Sequence, residues 1–120
     1  MGTFQARLEI GDPQGQRYVS LMALVDTGDT YTTVAASLLR DVGVVPFSQD
    51  EFELADGRVI RRDIGFTWVR AEGRAGIAPV VFGDEGVRPL VGAATLEVLR
   101  LGVDPVRQHL VPVRGLMMNT

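Results

Sequence analysis

What most limits the fold of this chain is how often its apolar runs are cut by glycine and proline. Residues 3–10, TFQARLEI, alternate Phe4, Ala6, Leu8 and Ile10 with Gln5, Arg7 and Glu9, the period of a half-buried strand. GDPQGQ (11–16) then carries turn punctuation, and RYVSLMALV (17–25) returns as a second strand. From Glu51 to Phe82 the pattern is that of β-hairpins: EFEL, a turn at ADGR, VIRRDIGFTWVRA, a turn at EGRAG, and IAPVVF. Asp56-Gly57 is a pair that accommodates positive φ at a hairpin tip. Only VAASLLRDVG (34–43) and AATLEVLRLG (93–102) suggest helices, each closed by glycine. PLVG (89–92) is a brief buried run, and HLVPV (109–113) a last short strand. Many short strands with two short helices predict a mostly-β closed sheet.

One domain is expected to span residues 1–120, a length that supports a core without staples. There is no cysteine, which excludes disulfides, thiolate nucleophiles and cysteine-ligated zinc. The single histidine, His109, excludes a multi-histidine metal site within one chain. A net charge of −3 gives no electrostatic reason to expect nucleic-acid binding. No apolar run is long enough for a bilayer-spanning helix, and the first residues do not read as a signal peptide. The expected location is therefore the cytoplasm, with no membrane partner.

Against this ordinary background, ALVDTGDTYTTV (23–34) stands out, because an apolar strand runs directly into a carboxylate. An unpaired charge at the end of a buried strand is costly. Asp26-Thr27-Gly28 can be a plain turn, since all three residue types favour turns. It can also be the catalytic loop of an aspartic protease. That chemistry needs two carboxylates sharing one proton, one acting as general base on water while the protonated one polarises the scissile carbonyl. Asp26 would supply the carboxylate and Thr27 would brace the loop. Gly28 would let backbone and partner carboxylate approach without an intervening Cβ.

From Asp26 onward the chain resembles the retropepsin-like aspartic proteases, and more closely their bacterial members. LVDTGDTYT matches the catalytic-loop pattern, LADGR (54–58) falls where the family places the tip of its flap hairpin, and PLVGAATLEVLRLGVDP (89–105) matches its second signature. The resemblance implies a closed, single-lobe acid-protease-like barrel with one or two short helices. It implies that Leu90, Val91 and Gly92 cross behind the catalytic loop. It also implies that substrate contacts come from Asp29, Thr30, Ala55, Asp56, Gly57 and Leu90, with Leu90 a side-chain pocket wall. No metal and no cofactor are expected.

The chain holds one Asp-Thr-Gly, so a dyad requires the Asp26 of a second copy and predicts a homodimer acting on peptide or protein. In the resembled family, interleaved terminal strands hold the dimer. Here those strands would be TFQARLEI and HLVPV, with GLMM (115–118) over them. One departure is Asp29, where the family usually has Ala or Ser. Its charge beside the dyad disfavours ionisation of both groups. The alternatives to an endopeptidase are a weak or inactive dimeric peptide-binding scaffold of the same fold, and an unrelated β-barrel with a chance motif. Phe66 and Trp68 are expected in packing, and His109 at a strand edge. RVIRR (58–62) is expected on a solvated face, with Arg58 near enough to the tip to touch substrate. Asp50, Glu51 and Glu53 are expected to be surface charge rather than a cation site.

Overall fold

The computed structural model describes residues 3–115 and Met117. Its strands are β1 (Phe4–Gly11), β2 (Tyr18–Val25), β3 (Thr32–Ala35), β4 (Ser48–Glu53), β5 (Val59–Ala71), β6 (Arg74–Gly83), β7 (Leu90–Val91), β8 (Leu101–Asp104) and β9 (His109–Pro112). Two short helices, α1 (Ala36–Asp41) and α2 (Ala93–Leu99), interrupt them. The fold is mostly β, as the density of turn signals requires.

β1 to β7 form one sheet in the order β1-β2-β7-β3-β6-β5-β4, and β8 and β9 form a separate pair. The sheet curls enough that β1 also pairs with β5, at Glu9↔Arg70 and Ile10↔Val69. Inside the curl lies the core: Leu8 and Ile10 from β1, Val25 from β2, Val69 and Val80 from the long hairpin, and Leu99 from α2. Where β1 meets β5, the Arg70 guanidinium grips the Glu9 carboxylate with Nε 2.6 Å and Nη2 3.0 Å away. It also lies 3.9 Å from the Tyr18 ring centroid, a cation–π contact on the same seam.

Several boundaries differ from the sequence expectation. Thr32–Ala35, expected as loop and helix start, is a strand, because it inserts between β6 and β7 and buries Thr32 and Val34. The second helix ends at Leu99 rather than Gly102, with Arg100 in the left-handed conformation at φ 53°. Leu101–Asp104 continues as β8, and Val113 N–H donates back to the Arg100 carbonyl. β6 begins earlier than IAPVVF, because Glu72 and Gly73 alone make the turn, both at positive φ. β1 pairs with β2 along its full length on one edge, while its other edge meets β5 only at Glu9 and Ile10. β9 is likewise paired, with β8. Of GLMM, Leu116 and Met118 lie outside the described residues.

Candidate active site

Asp26 follows β2 directly, and its position is set by β7. Leu24 and Val25 run parallel to Leu90 and Val91, Leu24 N–H donates to the Pro89 carbonyl and Asp26 N–H to the Val91 carbonyl at 3.1 Å. Leu90 thus crosses behind the loop as expected, held also by β3 through Thr33. The loop then folds on itself: Gly28 N–H donates to Asp26 Oδ1 at 2.9 Å, and Asp29 N–H to the Asp26 carbonyl. A Cβ on Gly28 would stand 3.2 Å from that carboxylate oxygen, so a side chain here would crowd the group it serves.

Beneath the loop, the start of α2 is tied to it. Ala93 N–H donates to the Asp29 carbonyl at 2.7 Å and Ala94 N–H to the Thr30 carbonyl at 2.9 Å. These bonds satisfy two of the amides that a helix start leaves without partners. Gly92 makes the approach possible, since a Cβ there would lie 2.6 Å from the Tyr31 backbone. Behind it the fully buried Thr32 and Thr95 hydroxyls meet at 2.6 Å, and Thr32 Oγ1 accepts the Gly92 N–H. Buried hydroxyls that are all paired fix one arrangement of loop against helix.

Asp26 is half-buried, whereas Thr27 to Thr30 are exposed in the single chain. Although Asp29 reaches solvent, partial burial raises its pKa above the ordinary 3.8, and the neighbouring Asp26 charge raises it further. The chain therefore carries two neighbouring carboxyl groups at this loop.

A cleft of about 600 Å³ opens beside it. One wall is the loop from Gly28 to Tyr31, and the other is the β4–β5 hairpin. The hairpin tip is closed by Leu54 N–H to the Arg58 carbonyl and Gly57 N–H to the Leu54 carbonyl, with Gly57 at φ 87°. Asp56 turns back onto Arg58, whose backbone amide and side chain both hold its carboxyl below the usual range. Of the residues expected to touch substrate, Asp29 and Thr30 line this cleft together with Gly28. Asp26, Thr27, Ala55, Asp56, Gly57 and Leu90 flank it without lining it.

RVIRR is expected on a solvated face with Arg58 near substrate, and Arg58 does line the cleft, but so do Ile60 and Arg62, while Val59 and Arg61 face out. Period-2 alternation counted from Gly57 would have separated them. Tyr31 and Phe52 join the two walls edge to face, with centroids 5.8 Å apart, a contact that only the folded chain brings together. Phe66 is half-exposed against Phe47, and Trp68 covers Gly15. His109 is exposed on β9. Among the described residues, no group of three or more His, Asp or Glu side chains could hold a metal ion, and no helix is long and apolar enough to cross a membrane.

The fold is similar to that of a foamy-virus protease. The solution structure of the simian foamy virus (mac) protease superposes with a TM-score of 0.55 at 22% identity, over 78% of this chain and 91% of that one. No protein-family model and no curated protein sequence matches the chain. The likeness rests on the arrangement of strands, and it supports the retropepsin-like architecture read from the three motifs.

Proposed function

We propose that this chain is a homodimeric aspartic endopeptidase of the retropepsin-like type. The observation that carries the reading is Asp26-Thr27-Gly28 at the end of β2, with the Asp26 amide on Val91 and the Gly28 amide on the Asp26 carboxylate. A fold similar to a viral protease adds support. Two copies related by a two-fold axis would bring Asp26 against its counterpart, and the two chains would share one substrate cleft.

In the ionised-plus-protonated pair, one Asp26 takes a proton from water as the water oxygen attacks the scissile carbonyl carbon. The other Asp26 donates a hydrogen bond to the carbonyl oxygen as negative charge develops there. Collapse of the tetrahedral intermediate breaks the C–N bond, and the proton taken from water passes to the leaving amine. The peptide would lie extended between the Gly28–Tyr31 loop and the hairpin, adding a strand to each. Ala55, Asp56 and Gly57 at the hairpin tip would close over it, and Leu90 would back the pocket beside the scissile bond.

Asp29 favours a second reading, a dimeric peptide-binding module with weak turnover, because its carboxyl adjoins Asp26. Asp26→Asn separates the two. The amide is nearly isosteric but cannot take a proton from water, so peptide hydrolysis should be lost while the circular dichroism and melting temperature stay native-like. Unchanged hydrolysis in the variant would exclude the dyad, and a chain that never hydrolyses peptide but binds it would favour the module.

A further inference from the structure

The cleft wall holds a cation that the proposed chemistry does not use. Arg62 reaches there from β5, its side chain only 27% exposed, beside Ile60, Val81 and Val87. Nη1 donates to the Arg61 carbonyl at 2.7 Å and Nη2 to Asp84 Oδ2 at 2.9 Å. Only two of its five N–H donors are engaged by described residues.

Its partner is very different. The Asp84 side chain is 76% exposed, at the start of the turn after β6. An ion pair with one arm in open water contributes little to stability, and the exposed carboxylate can return to solvent at small cost. Arg62 is more constrained, because most of its side chain is buried in the cleft wall and its Nη1 is held on the Arg61 carbonyl. The pair is thus asymmetric: a fixed cation whose counter-charge is exchangeable.

We propose that Arg62 is a specificity-determining residue that reads an acidic side chain of the bound peptide, with Asp84 as the placeholder it releases. Because Arg62 shares its part of the cleft wall with Asp84 and Val87, the residue read is one whose side chain reaches that wall. Of the other anions, Asp50 registers directly opposite Arg62 on β4, with its Oδ1 taken by the Glu51 amide, and the rest lie farther off. Glu53 registers with Val59, about 10 Å along β5 from Arg62, and Asp29 belongs to the loop wall. A guanidinium fork offers a carboxylate two parallel hydrogen bonds, which an amide of the same shape cannot match.

This inference rests on the peptidase reading, so its test keeps the two apart. A library of peptides with one apolar cleavage site and Glu, Gln or Lys at each flanking position would be assayed for kcat/KM with the wild type. Binding of the same peptides to Asp26→Asn would be followed by fluorescence anisotropy. At one flanking position Glu should exceed Gln by about tenfold, the discrimination expected of a charge-assisted pair. R62Q should bring that ratio within about twofold of unity, while D84N, at an exposed site, should raise affinity for the Glu peptide several-fold. Hydrolysis without a Glu preference, or with one that survives R62Q, would overturn the inference and leave the peptidase reading standing. A Lys preference abolished by D84N would overturn it too, by assigning Asp84 as the reader. Failure of every peptide to be bound or cut would overturn both.

Discussion

At the scale of single residues, the decisive neighbours are Asp26 and Asp29. Negative charge at Asp26 makes it harder to ionise Asp29, and like charges this close oppose one another in whatever pair they join. Asp29→Ala should therefore move both limbs of the activity–pH profile towards acid. A profile unchanged by the substitution would mean that the two groups do not communicate when substrate is bound. The same shift has a stability consequence. A carboxyl whose folded-state pKa lies above 3.8 contributes stability below that pH, and the contribution is lost as pH rises through the folded value. Removing the carboxyl should thus raise the melting temperature at neutral pH relative to that at pH 3. Asp26-Thr27-Gly28 and the departure at Asp29 were legible in the sequence, because each is a local chemical signature. Arg62, Tyr31 and Phe52 were not: their roles arise from long-range juxtaposition, which no short window of residues encodes.

Among the elements, the loop, β7 and α2 behave as one unit. Gly92 is where they touch, with the Tyr31 backbone 2.6 Å from any added Cβ. Gly92→Ala must push backbone against backbone, and a destabilisation of about 1–3 kcal/mol with a larger loss of kcat than of peptide binding is expected. Denaturant titration beside single-turnover assays would measure both. The seam between β1 and β5 offers an independent check. Hydrogen bonding to Arg70 holds the Glu9 carboxyl below its ordinary 4.5, so its contribution is present above that pH and disappears as pH falls through the lowered value. Glu9→Gln should accordingly flatten the acid limb of the stability curve while leaving peptide hydrolysis near wild type. Strands with clean alternation, such as β1 and β5, could be read directly. β3 and β8 could not. Thr32–Ala35 is a strand only because β6 and β7 pair with it on both sides, and β8 only because β9 returns beside it. Tertiary pairing overrode weak local preference there.

For the molecule as a whole, each chain presents one Asp-Thr-Gly with a cleft beside it. β1 pairs with β2 along one edge and meets β5 only at Glu9 and Ile10, so its other edge from Phe4 to Leu8 and the β8–β9 pair are the edges from which the seam of the proposed dimer would be built. The central claim is that catalysis needs an Asp26 from each of two copies. Subunit mixing tests this most directly: wild-type and Asp26→Asn chains are combined at fixed total concentration, allowed to exchange, and assayed for peptide hydrolysis. If both carboxylates are required, activity follows the square of the wild-type fraction, and an equal mixture retains about one quarter of full activity. Activity that falls linearly, to about one half in that mixture, would mean that each chain works alone and would contradict the shared dyad.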